Sequence, residues 1–119
     1  EVPLTDMLRY PHLLAGASWQ EEYGNPDAEP DRGYLKKLSP YHNLHGGQTY
    51  PPALITTNLS DDRVHPAHAL KFHARLREIG VNSRLYAPEA GGHAGNASQE
   101  EVAAELAAVL VFLRQTVGK

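Results

Sequence analysis

Cysteine is absent from the 119 residues. That excludes a disulfide framework, a thiolate-held zinc and a cysteine nucleophile, and it leaves the redox compartment open. Long apolar runs are scarce as well. The longest stretch of that kind, 102–113, is interrupted by Glu105, whereas a bilayer span needs about 20 apolar residues. Neither sign of charge dominates: 11 Lys and Arg stand against 14 Asp and Glu, for a net charge of -3. Both signs are mixed along the chain, so there is no basic patch for nucleic acid and no acidic block that would form a solvating tail. Internal repeats and low-complexity tracts are missing too. The chain opens on Glu1 rather than Met. Its start is therefore read as a cut, the lack of a leader carries no weight, and cytoplasmic and periplasmic settings both stand.

What is present is ordinary in bulk and organised in detail. Hydrophobic residues make up 41% and charged residues 21%, near globular averages, and the length allows one domain with a modest core. Residues 1–52 are rich in Pro, Gly, Tyr and His and poor in periodic segments. A short helix is expected over 5–10, stopping before Pro11. Asp31 is placed to cap a helix running to Leu38, with Tyr34, Leu35 and Leu38 on one side.

Residues 53–119 alternate strand and helix signals. Ala53-Leu54-Ile55-Thr56-Thr57 is a short apolar and β-branched run, the mark of a parallel strand buried on both faces. Pro66 suits the first turn of a helix that carries Leu70, His73, Leu76 and Arg77 at helical spacing and stops at Gly80. A second strand is expected over 82–87, followed by a glycine-rich loop over 89–96. Ser98 and Glu101 form a capping box. Val102, Leu106, Val109, Leu110 and Leu113 then make an amphipathic stripe, ending near Gly118, for packing against the sheet. The order strand–loop–helix–strand–loop–helix implies an α/β fold with a parallel crossover. In such sheets the site forms on the loops at the carboxyl ends of the strands.

Asp61 lies on the first of those loops and His93 on the second, one strand apart. An imidazole that titrates near neutrality and a carboxylate that orients it are the base and acid of a hydrolytic triad. In α/β-hydrolases the chain order is Ser, Asp, His, with the Ser in Gly-x-Ser-x-Gly. Asp61 precedes His93 as that order requires. None of Ser18, Ser39, Ser60, Ser83 and Ser98 sits in such a turn, so the nucleophile is expected outside these residues. Simpler readings exist for each feature. Asp61-Asp62 would also serve as a helix cap before Pro66, and Trp19 and Tyr23 would also serve as core aromatics. His42-x-x-His45 and His65-x-x-His68 have local metal-ligand spacing, but nothing brings a third ligand to either, so neither a metal nor another cofactor is expected.

Several segments, taken together and in order, carry a resemblance. They are Asp6-Met7-Leu8-Arg9-Tyr10, Gly16-Ala17-Ser18-Trp19 with Tyr23-Gly24, Ser39-Pro40-Tyr41-His42-Asn43-Leu44, Tyr50-Pro51-Pro52, Asp61-Asp62-Arg63-Val64-His65-Pro66 and Gly92-His93. Over nearly its whole length the chain resembles the C-terminal end of the catalytic domain of prolyl oligopeptidases, serine peptidases with an α/β-hydrolase fold. The resemblance implies a partial α/β-hydrolase fold: the last two parallel strands with flanking helices, a three-layer αβα fragment, in which 1–52 is an irregular active-site segment. It implies that Asp61 is the triad acid and His93 the triad base. Arg63 then holds a backbone carbonyl of the peptide, and Trp19, Tyr23 and Val64 line a proline pocket, with Leu4 as a further wall. The implied substrate is a short peptide cut after proline. Two local differences from the family pattern stand out, Ala94 after His93 and Asn58-Leu59-Ser60 before the Asp pair.

Two functions follow. The first is a C-terminal piece of such a peptidase, inactive alone because the serine is elsewhere. The second is a non-catalytic peptide-binding or assembly module. Two strands alone leave sheet edges open, so the partners expected are the remainder of the catalytic domain or further copies of the chain, with no nucleic acid and no membrane.

Overall fold

Ala53–Thr56 (β1) and Ser83–Tyr86 (β2) pair in parallel, with Ala53 opposite Ser83 and Thr56 opposite Tyr86. Parallel strands cannot be joined by a tight hairpin, and the crossover here is the helix Ala67–Glu78 (α3). The computed structural model describes residues 1–95 and 98–117, so Asn96 and Gly118, expected as the ends of the last loop and helix, lie outside the described residues. Backbone bonds continue the ladder past both strand ends, with Ala53 N donating to Asn82 O (3.0 Å), Thr57 N to Tyr86 O (3.0 Å) and Leu59 N to Pro88 O (2.9 Å). On the far edge of β1, Val2 N donates to Thr56 O at 2.8 Å.

One core lies between the sheet and α3. Leu44, Ile55, Ala69, Leu76 and Val81 are buried there, with Tyr50, Phe72 and Leu85 packed against them. Each fully buried side chain of this size stabilises by about 1.5–3 kcal/mol. A second core gathers residues 1–52 around Met7, Tyr10 and Leu35, with Leu4, Leu8, Trp19 and Tyr23 at its edge. Tyr10 is fully buried, lies edge-on to Tyr23 at 5.8 Å and donates its hydroxyl to Gly24 O. Gly16 is required by the close approach of chain here, because a Cβ on it would stand 1.7 Å from Tyr10 O.

The two halves are joined at α3. Lys71 Nζ pairs with the Asp6 carboxylate and lies 4.5 Å from the centre of the Tyr41 ring. His68 accepts from Asp6 N at Nδ1, 3.2 Å, and its carbonyl accepts from the Thr5 hydroxyl, 2.6 Å. Asp6 and His68 are each 1% exposed.

Several expectations need correction. Turn and 3-10 structure replaces a helix over 5–10, and the 3-10 turn Tyr10–His12 runs through Pro11, which occupies a first-turn position where its missing N–H costs nothing. The helix Asp31–Leu38 (α2) has Pro30 at its N-cap. Asp31 instead reaches back to accept from Asn25 N at 2.8 Å, and Tyr34 and Leu38 are exposed while Leu35 is buried. Beside these stand a short helix, Gln20–Tyr23 (α1), and a 3-10 turn, Tyr41–Asn43. In α3 the buried face is His68, Ala69 and Leu76, whereas Leu70 and Arg77 face solvent. His68 lies on the inner side, where its ring accepts from the Asp6 N–H and its carbonyl from the Thr5 hydroxyl. The last helix, Gln99–Thr116 (α4), opens with the expected Ser98–Glu101 capping box, but Phe112 is its buried residue while Val102, Leu106, Leu110 and Leu113 are exposed. A sheet two strands wide covers little of a helix. Leu54 is correspondingly only half-buried. No helix among the described residues is long and apolar enough to cross a membrane.

His68 makes stability pH-dependent. It accepts a hydrogen bond at Nδ1, so it is neutral with its proton on Nε2. Burial, the largest influence, lowers its pKa to about 4 from 6.5; Asp6 opposes this, and Lys71 and His65 add to it. The unfolded chain therefore binds a proton between pH 6.5 and about 4 that the folded chain refuses. Stability contributed by the neutral ring is complete above that window and falls with pH inside it, approaching about 1.4 kcal/mol per pH unit. Urea unfolding of His68→Gln from pH 7 to pH 4.5 should give a shallower decline than the parent. The share from His73, also lowered by burial and then by Arg77, should remain. Parallel curves would exclude His68 as the group responsible.

Candidate active site

Asp61 is 4% exposed, and the loop after β1 is wound around its carboxylate. Oδ1 accepts from Arg63 N at 2.8 Å and Val64 N at 2.9 Å. These donors lie ahead of α3, whose first helical residue is Ala67 and whose N-cap position is Pro66 without a side-chain bond. The carboxylate thus does not cap that helix; His65 Nδ1 accepts from Ala67 N instead, at 3.0 Å. Oδ2 is left to face His93 Nδ1 at 3.1 Å. Burial on its own pushes the Asp61 carboxyl upward, but the N–H of Arg63, the His93 ring and the N–H of Val64 outweigh it and hold the pKa below its ordinary value. An ionised carboxylate only accepts, so the Nδ1 proton of His93 points at Oδ2 and a neutral ring keeps a lone pair on Nε2. The His93 side chain is 35% exposed, which leaves that nitrogen within reach of a proton donor.

The loop after β2 bends back to present the ring. Gly92 and Gly95 form an antiparallel bridge, and Gly95 N donates to Gly92 O at 3.2 Å. Asp62 Oδ1 accepts from His93 N at 3.3 Å. The sequence marks Asp62 as the second member of an acidic pair and a candidate helix cap, not as a partner of His93. Its separation from His93 gives no local signal, so its grip on the base becomes visible only once the loops are side by side.

The remaining candidates are distributed around this pair. Val64 is buried, and its N–H is one of the two that hold Asp61. Arg63 contributes its N–H to Asp61, and its carbonyl accepts from Ala15 N at 3.3 Å. That bond ties the Asp61 loop to the 3-10 segment Leu14–Trp19, which ends in Trp19. Trp19, Tyr23 and Leu4 are half-buried against the Tyr10 core, so in this chain their aromatic and apolar surfaces also serve packing. Among the described residues no serine bonds to His93. Ser18 Oγ donates to Ala15 O, Ser39 Oγ is engaged with Thr5 O and His42, Ser60 Oγ with Asn58, Ser83 Oγ with His73 and Ser98 Oγ with Glu101. Among the described residues no group of three or more His, Asp and Glu gathers to hold a metal. The arrangement is an imidazole hydrogen-bonded to a buried carboxylate, with no serine hydroxyl bonded to it among the described residues.

Three comparisons with known proteins point to one family. The model of the prolyl oligopeptidase family matches residues 1–119. The prolyl endopeptidase of Elizabethkingia meningoseptica is 40% identical over 121 residues, covering 98% of this chain and 17% of that protein. Among solved structures, a post-proline cleaving enzyme from Rickettsia typhi superposes with a TM-score of 0.89 at 36% identity, over 99% of this chain and 17% of that one. Prolyl oligopeptidase B from Galerina marginata, bound to a 35mer hydrolysis and macrocyclization substrate, superposes with a TM-score of 0.69 at 31% identity, over 75% of this chain and 13% of that one. The chain thus spans about one sixth of the length of the curated relatives it matches.

The Asp61 carboxylate should also matter for stability. Asp61→Ala strips the Arg63 and Val64 N–H groups of their acceptor in a buried turn, which should cost about 1–3 kcal/mol. Asp61→Asn retains one acceptor oxygen and should cost less. Chemical denaturation of the two variants checks the order, and equal losses would show that Oδ1 does not hold the turn.

Proposed function

We propose, from the premise that the chain belongs to the prolyl oligopeptidase family of serine peptidases, that it supplies the acid and base of a peptidase whose nucleophilic serine lies outside these residues. The observation that carries this reading is the 3.1 Å contact of His93 Nδ1 with an Asp61 carboxylate kept ionised by its turn. The serine hydroxyl attacks the scissile carbonyl while His93 Nε2 takes its proton. Asp61 holds the tautomer and stabilises the imidazolium, and His93 then gives the proton to the leaving amine. Water repeats the cycle on the acyl-enzyme. Base catalysis of this kind contributes about 10²–10⁴ in rate. Arg63, exposed beside the pair, aligns a carbonyl of the peptide, and Trp19, Tyr23 and Val64 give the residue before the cut an apolar, proline-accepting wall. In this reading 1–52 is the substrate-facing segment and 53–119 carries the acid and base.

A second feature concerns assembly. A groove of about 320 Å³ runs between α4 and the far edge of β1, beyond the Val2 contact with Thr56, lined by Glu1, Leu54, Thr56, Glu105, Val109, Phe112 and Leu113. Beside it Leu106 and Leu110 are each 56% exposed. An open strand edge next to an uncovered apolar helix is a surface built to be covered, and the remainder of the catalytic domain is its occupant. When that part is missing, further copies of the chain take its place, which is also how a non-catalytic assembly module would behave.

Two experiments test these readings. These residues should be exchanged for the matching segment of the Elizabethkingia prolyl endopeptidase. The folded chimera should react with a fluorophosphonate probe and cleave short proline-containing peptides, and His93→Ala should lower the rate by about 10⁴ or more. A folded chimera that never labels rejects the peptidase reading. Separately, the 119-residue chain should sediment as an oligomer, shifting toward monomer when Leu106 and Leu110 are both changed to Glu. A monodisperse monomer that melts cooperatively would rule out the covered-groove account.

A further inference from the structure

The acid and the base sit on different loops, and the ladder that aligns those loops ends at Leu59 N and Pro88 O. Between there and His93 the connecting side chain is Asn58, which is 5% exposed. Its Nδ2 donates to Ala90 O at 2.5 Å, three residues before His93. Its Oδ1 accepts from the Ser60 N–H at 2.9 Å and from the Ser60 hydroxyl at 2.8 Å. Its own carbonyl accepts from Asp61 N at 3.2 Å. One residue is thus bonded by three separate groups to the residue beside the acid, to the acid itself and to the base loop.

The chemistry requires an amide. The position needs an acceptor toward two donors and a donor toward a carbonyl, on a stem one methylene long, and the network fixes which way the amide lies. A carboxylate of the same shape accepts only, and would turn an oxygen toward the Ala90 carbonyl. Gly91 completes the fit. A Cβ there would stand 2.2 Å from Asn58 Nδ2, at a φ of +120° that side chains rarely adopt. A further backbone tie between the loops, His93 N to Asp62 Oδ1, is longer at 3.3 Å and lies on an exposed residue, where water competes for both groups. Asn58 makes its bond from a side chain that is itself buried.

The geometry points to Asn58 as a positioning residue for the Asp61–His93 pair: it clamps the Ala90 carbonyl to the acid loop and so sets where the His93 ring stands against Asp61 Oδ2. This rests on the triad roles proposed above. Misplacement of a reacting group by about 1 Å costs on the order of 10² in rate, so a lost clamp acts on turnover rather than on peptide binding.

Two readouts separate the clamp from the peptidase reading. In the 119-residue chain labelled with 15N-histidine, the His93 Nδ1 proton should be a resolved downfield resonance that Asn58→Asp broadens or removes while circular dichroism is unchanged. In the Elizabethkingia chimera the same substitution should lower kcat by about 10–100-fold and move KM by less than about threefold. A retained ring proton together with an unaltered kcat overturns the proposal, as does an equal change in kcat and KM. If Asn58→Asp does not fold, Asn58→Ala carries the same expectations without setting a charge against the carbonyl. The unsubstituted chain must also show a coupling through the hydrogen bond from Asn58 Nδ2 to the Ala90 carbonyl carbon; its absence overturns the clamp. A chimera that never labels rejects the peptidase reading, and the ring-proton result then decides on Asn58 alone.

Discussion

The parallel ladder between β1 and β2 is the constraint on which the rest depends. Parallel pairing puts the carboxyl ends of both strands on the same side of the molecule. Here the pairing persists beyond them, through Thr57 with Tyr86 and Leu59 with Pro88. Two loops whose acid and base are thirty-two residues apart in the chain are thereby laid alongside each other before any side chain acts. Side chains then refine the match: Asp61 gathers its own turn through two N–H groups, Asp62 takes the backbone of His93, and the imidazole closes the distance.

Electrostatics at the pair follow from that backbone. A carboxylate so nearly removed from water would be driven toward its neutral form, and a neutral acid could not steady a positively charged ring. The two turn N–H groups and the His93 ring outweigh this and hold the Asp61 carboxyl below its ordinary value in a place where an anion is costly. The same donors that shape the turn favour the ionised form of the carboxylate. Fold and chemistry are not separable at this residue.

Local signals made much of the architecture legible. The β-branched run of β1, Pro66 ahead of α3 and the Ser98–Glu101 box each dictate structure within a few residues, and the strand–helix order places Asp61 and His93 at one end. What escaped was settled by partners distant in sequence. The apolar stripe of α4 records which face the helix is built to bury, not whether a surface to bury it against is present, so Leu106 and Leu110 read as core and stand in solvent. His68 stands out in the sequence only for its spacing from His65, and its ring accepts inside the protein from the N–H of Asp6, sixty-two residues away. Asp31 looked like a cap and bonds back to Asn25. Asn58 drew notice as a departure from a pattern, and its contact with Ala90 belongs to the tertiary structure alone.

The joint at α3 has a kinetic meaning. The contacts of Thr5 and Asp6 with His68 and Lys71 span 62–65 residues, and closing a loop that long costs on the order of 4 kcal/mol of chain entropy. Those bonds reward the chain only after α3 exists to receive them. Renaturation should therefore begin in the sequence-local β1–α3–β2 unit and end with the opening residues docking onto it, an order of events set by topology rather than by the strength of the ion pair.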